Sequence, residues 1–165
     1  MEVLNNEKKD EKMKFAITAE EFTKMKVYQD IENEVNNGVD DDDEMSEFWE
    51  GEKVVDLIEK AKDGCGISCS KLAYYYEYEE QYDDSFYWFK KAGELGDENA
   101  CYGVACAYIS GFFPWECPRE VCSENPEKAI YWMIKAAELG SEDAIKVMED
   151  IKKEMDEKEV NKEVE

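Results

Sequence analysis

The stretch YWFKKAGELGDENA, residues 87–100, aligns without a gap to YWMIKAAELGSEDA, residues 131–144. Nine of the fourteen positions are identical: Tyr87/Tyr131, Trp88/Trp132, Lys91/Lys135, Ala92/Ala136, Glu94/Glu138, Leu95/Leu139, Gly96/Gly140, Glu98/Glu142 and Ala100/Ala144. Agreement this dense marks a duplicated structural unit, and a period of a few tens of residues is the signature of a stacked repeat. Setting Gly64 over Gly96 reveals a fainter third copy, with Leu72-Ala73 over Val104-Ala105 and Tyr76 over Tyr108. The copies are spaced by 32 and then 44 residues.

Each copy has the logic of helix, loop, helix. Ala92 and Ala136 are small residues on otherwise apolar faces, which lets two helices approach closely. Gly96 and Gly140 stand where a helix must end in the left-handed conformation that only glycine adopts at little cost. Asp97 or Ser141 is placed to cap the next helix, and Glu98 or Glu142 sits in its electropositive first turn. A single pair cannot bury its apolar face, so neighbouring pairs must stack. Trp88 and Trp132 are expected at equivalent, largely buried sites on successive second helices.

Outward from this core, Thr18-Ala19-Glu20-Glu21 has the form of a capping box, followed by Phe22, Met25, Ile31 and Val35 at helical spacing. The spacing predicts a helix over about 19–36, stopped by Asn36-Asn37-Gly38. The acidic run Asp40, Asp41, Asp42, Asp43, Glu44 reads as a solvated, self-repelling loop. Val54, Val55, Ile58 and Ala61 then predict a helix ending at Gly64. These two helices are expected to form an atypical first pair capping the stack. Past Gly140, Ala144, Ile145, Met148, Ile151 and Met155 keep a helical period, after which the sequence is almost wholly charged. The expected organisation is a disordered polar segment over 1–13, one helical-repeat domain over 14–155, and a fraying charged tail over 156–165.

The pattern Ala100-x3-Val104-Ala105-x2-Tyr108, with Lys128-Ala129-x-Tyr131-Trp132-x2-Lys135-Ala136-Ala137-Glu138-x-Gly140, resembles the Sel1-like repeat, a relative of the tetratricopeptide repeat. The resemblance covers roughly residues 51–150. The chain departs from the family in the loop between the helices, which is cut short after Tyr76 and lengthened after Gly111. The resemblance implies an all-α, right-handed superhelix of about three helix pairs that serves as a protein-binding scaffold, with no catalytic residues. It also implies, through tetratricopeptide geometry, that Tyr74, Glu77, Tyr78, Tyr102, Ile109 and Lys146 face a concave groove.

The composition narrows the chemistry. Forty-three acidic residues against 20 basic ones give a formal charge of −23, a field that repels nucleic-acid phosphates and anionic membranes and favours a basic protein partner. No histidine is present, so no nucleophile–histidine pair can be built. Neither G-x-G-x-x-G nor G-x4-G-K-[ST] occurs, which leaves nucleotide binding without support. Six cysteines at Cys65-x3-Cys69, Cys101-x4-Cys106 and Cys117-x4-Cys122 lack the C-x2-C spacing of zinc knuckles, and read as free thiols of a reducing compartment. Only Cys117 with Cys122 is placed to close a loop bridge under oxidising conditions. The Asp40–Glu44 run lacks the glycine and glutamate of a calcium loop. With no long apolar run and no apolar segment after the first charges, the expectation is a soluble cytoplasmic protein without cofactor or metal.

Two aromatic segments are the candidate contacts. Residues 74–89, YYYEYEEQYDDSFYWF, carry nine rings, which either pack between helices or line the groove. The lengthened loop carries Phe112, Phe113 and Trp115, which either fold back over one end of the groove or meet a partner. The leading functional expectation is a non-enzymatic interaction module whose acidic, tyrosine-rich groove binds a basic protein, steered by Asp40–Asp43. The alternative is an inhibitor, either an immunity protein for a basic nuclease toxin or a nucleic-acid mimic.

Overall fold

The computed structural model describes residues 17–37, 53–111 and 122–162, and within them every regular element is a helix. In chain order these are α1 (Ala19–Thr23), α2 (Lys26–Asn37), α3 (Val54–Lys62), α4 (Gly66–Tyr78), α5 (Tyr82–Glu94), α6 (Glu98–Ser110), α7 (Pro126–Leu139) and α8 (Glu142–Lys162). The segments 1–16, 38–52, 112–121 and 163–165 lie outside the described residues, and with them the expectations for residues 1–13, Asp40–Asp43, Cys117, Phe112, Phe113 and Trp115.

The three aligned glycines share one conformation. Gly64, Gly96 and Gly140 have φ of 89, 99 and 108°. After each, the next amide reaches back five residues to the same kind of carbonyl: Cys65 N to Lys60 O at 3.0 Å, Asp97 N to Ala92 O at 3.1 Å, and Ser141 N to Ala136 O at 3.0 Å. This is the glycine-closed helix end, and its triple recurrence makes the faint third copy a structural one. The short α4–α5 connection uses the same bond, Gln81 N to Tyr76 O at 2.8 Å, with Glu80 at φ 57° in the left-handed position that glycine holds in the other three.

The starts are capped as the side chains dictate. Asp97 accepts from Ala100 N at 2.8 Å with one carboxylate oxygen, while the other takes the Ser70 hydroxyl of α4, so one residue both starts α6 and ties it to α4. Asn125 accepts from Lys128 N at 2.9 Å ahead of Pro126. Ser141 Oγ accepts from Ala144 N at 3.4 Å.

Consecutive helices α3 to α8 each pack on the next, giving a helical-repeat solenoid with complete pairs α4–α5 and α6–α7 flanked by α3 and α8. Small residues set the spacing: Ala92, Ala105 and Ala136 are fully buried. Trp132 is buried, whereas its equivalent Trp88 is half-buried against the core. Helix α8 continues to Lys162, beyond Met155.

One equivalence invites a substitution. Ser85 is fully buried and its hydroxyl finds no partner, while the matching position in the next copy is the fully buried Ala129. Burying an unpaired hydroxyl costs about 1–3 kcal/mol, so Ser85→Ala is expected to raise the unfolding free energy by about 1 kcal/mol. Equal or lower stability in urea titration would show that the hydroxyl is satisfied.

The N-terminal segment departs from expectation twice. First, the single helix over 19–36 is two helices, broken at Lys24-Met25. Thr18 and Glu21 form the capping box, and α1 closes after one turn with Lys24 N to Glu21 O at 3.2 Å and Met25 N to Phe22 O at 3.0 Å. Helix α2 starts anew because Glu154 of α8 accepts from Lys26 N at 3.1 Å and Val27 N at 3.0 Å, satisfying amides that a continuous helix would bond internally. Second, α2 does not pair with α3 as a cap. Its main packing is on α6, with further contact to α8, while α1 rests on α7. Covered from this side too, α6 is buried at every residue from Val104 to Ser110.

Candidate protein-interaction surface

In the repeat register, α4, α6 and α8 are the first helices of successive units, and their shared side is where the groove was expected. The structure divides the six expected residues. Tyr74 is half-buried and packs edge-to-face on Phe89 with ring centroids 4.8 Å apart. Burial, then the charges of Glu77 and Asp97, push its phenol up to about 12. Glu77 is half-buried, and Tyr78, at the end of α4, is 68% exposed.

Ile109 requires correction: it is fully buried, and its carbonyl accepts from the Tyr28 hydroxyl at 3.1 Å. Its side chain has no face left for a partner, because α2 lies over this part of α6. The Tyr28 phenol is pushed up to about 12, chiefly by burial and further by Glu124 and Glu32.

Tyr102 and Lys146 come together. They line a cleft of about 500 Å³ between α2 and α8, walled on one side by Lys26, Val27, Asp30 and Ile31. The α8 wall carries Asp143, Asp150, Glu154 and Glu157 against Lys146 and Lys153, an excess of two negative charges, while Lys26 and Asp30 of α2 cancel. Glu154 and the N-terminal helices are the elements sequence reasoning missed here. Phe22, Met25, Tyr28 and Ile31 recur every third residue and are all buried, which was a visible signal; Glu154 stood out in no way from a run of charged residues.

The second helices offer another surface. Val55, Tyr87 and Tyr131 occupy equivalent repeat positions on α3, α5 and α7, and are 65, 52 and 59% exposed. Lys91 lies 5.9 Å from the Tyr87 ring centre and pairs with Glu94 at 2.9 Å.

The thiols differ in setting. Hydrogen bonding to Ser68 lowers the Cys65 thiol, while burial pushes Cys69 up and Cys101 up to about 11. Cys65, Cys69, Cys101, Cys106 and Cys122 are unbridged, and Cys122 donates to Ala107 O at 3.2 Å. Among the described residues, no group of three or more cysteine, aspartate or glutamate side chains converges as a metal site, and no helix is long and apolar enough to cross a membrane.

Residues 66–97 and 99–141 match the Sel1 repeat, the first match spanning α4–α5 and the second α6–α7 with the long connection between them. Neither the curated proteins nor the solved structures yield a match to the chain. Sel1 repeats are protein–protein interaction modules, and the family is a non-enzymatic scaffold.

Proposed function

Because the chain is a Sel1-like repeat protein, with its repeats at 66–97 and 99–141, we propose that it is a non-enzymatic scaffold that binds a basic protein segment on the side formed by α4, α6 and α8. The observation that carries this reading is the cleft in which Tyr102 faces a wall of α8 with four carboxylates and two lysines. A tyrosine ring supplies affinity at low entropic cost, and an excess of acid attracts lysine and arginine. The formal charge of −23 extends that attraction beyond contact distance. Residues 14–155 are the working unit, in a reducing cytoplasmic setting that keeps the cysteines as thiols.

The test is association kinetics with a basic partner retrieved at low salt. A field of this sign acts mainly on encounter, so raising salt from about 50 to 500 mM is expected to slow association at least tenfold while changing dissociation by no more than about twofold. Neutralising Asp150 and Glu157 together should lower the association rate alone. Tyr78→Ala should hasten dissociation, with a loss of about 2 kcal/mol if that ring anchors the partner. Tyr78 is the better probe than Tyr74, whose packing on Phe89 confounds binding with stability. A partner whose association is indifferent to salt and to these carboxylates would overturn the reading.

A further inference from the structure

We infer that the groove is built to receive an amphipathic helix with basic residues, and that α1–α2 is a segment of the chain itself seated in that place, which a partner helix displaces. The inference rests on the scaffold reading above and specifies its partner. Two independent features carry it.

The first is how α1–α2 is held. It is the one part of the described fold outside the sequential stacking, with α1 on α7 and α2 across α6 and α8, elements more than sixty residues away in the chain. It engages them as a docked helical peptide would. Phe22 of α1, Met25 at the break and Tyr28 and Ile31 of α2 are all buried, with Phe22 and Tyr28 edge-to-face at 5.1 Å. Its polar ties to the repeats include the Tyr28 hydroxyl to Ile109 O and the Glu154 carboxylate on the first two amides of α2.

The second is an electrostatic mismatch. The α8 wall has an excess of two negative charges; α2 meets one of its carboxylates, Glu154, with its first two amides, but presents Asp30 alongside Lys26 and so brings no net positive side-chain charge to the cleft. A helix with the same apolar stripe but lysine or arginine in place of Asp30 matches the wall better than the resident segment does. The resident helix therefore fits in shape and is suboptimal in charge, as suits an occupant that must yield.

The experiment is amide hydrogen exchange on the full chain, with a synthetic peptide of residues 17–37 carrying D30K as the added helix, isotopically labelled so that its fragments are distinct. The peptide is expected to bind and to speed exchange of the chain's own residues 17–37 at least tenfold, with α4 and α5 unchanged. In the chain itself, Glu154→Gln should speed exchange of residues 26–31 about tenfold without affecting α4 and α5, and Asp30→Lys should slow it. Exchange of residues 17–37 in step with α4–α7, unaltered by peptide and by Glu154→Gln alike, would make α1–α2 a fixed layer of the fold and overturn the inference. So would transfer of this segment only between copies of the chain in a dimer. A basic partner that binds with the expected salt dependence yet leaves exchange at 17–37 unchanged would refute displacement while leaving the scaffold reading intact.

Discussion

Trp132→Ala is expected to lower the unfolding free energy by about 3–5 kcal/mol, the range for deleting a buried large aromatic side chain. The ring matters because it closes three helices together. A Cβ placed on Gly93 of α5 would lie 2.9 Å from Cζ3 of Trp132 in α7, 3.1 Å from Cys101 Sγ and 3.3 Å from Cys101 N in α6. Gly93 is thus a glycine of close approach, in the last turn of α5, with no need of a positive φ. This predicts a coupled result. Alone, Gly93→Ala gains about 1 kcal/mol of helix propensity but must force the Trp132 ring aside, at an overpacking cost of about 1–3 kcal/mol. With Trp132 already alanine, only the Cys101 contacts oppose the new methyl group, and the change should fall towards zero. Urea titrations of the parent, both single variants and the double variant give the coupling, expected to be about 1 kcal/mol or more. Equal costs of Gly93→Ala in both backgrounds would show that the ring does not reserve this position for glycine.

What the sequence made legible, and what it hid, follows from the range of the interactions. The repeat was readable because its closing bonds are local. A helix that ends by sending Asp97 N to Ala92 O needs a left-handed residue between them, and Gly96 advertises it; the same holds for Gly64 and Gly140. The caps Asp97 and Asn125 act on amides three residues away. The N-terminal arrangement was not readable, because its determinants lie far off in the chain. Lys24, Met25 and Lys26 are good helix formers with no proline or glycine among them, so nothing local breaks the helix there. The break is fixed by a carboxylate 128 residues beyond Lys26. Likewise, Tyr102 and Lys146 line one cleft, but repeat register carried no information that α2 would form its other wall or that Tyr28 would lie on Ile109. A stripe such as Phe22, Met25, Tyr28 and Ile31 announces that a helix will be buried without saying against what.

Phe22→Ala is expected to act very differently from Trp132→Ala, although both rings are buried. Removing a fully buried phenylalanine costs about 3–5 kcal/mol when the site cannot collapse. That cost can be charged to the whole fold only if α1–α2 unfolds together with everything else. Where a segment opens on its own, a destabilising change there lowers local protection first and leaves the rest near its former stability. The position of α1–α2 outside the sequential packing of α3 to α8 predicts such separate opening. In the Phe22→Ala chain, hydrogen exchange at residues 17–37 should accelerate by about two to three orders of magnitude, corresponding to 1.4 kcal/mol per tenfold, as α4 and α5 hold most of their protection. Helix α6 should fall between, since opening uncovers its Val104–Ser110 side. In the Trp132→Ala chain every stacked helix should lose protection together, because that ring binds α7 to α5 and α6 in the middle of the solenoid. Uniform loss across α4–α8 in the Phe22→Ala chain would mean that the N-terminal helices are as integral as the repeats, and the groove would then have no room for a second helix.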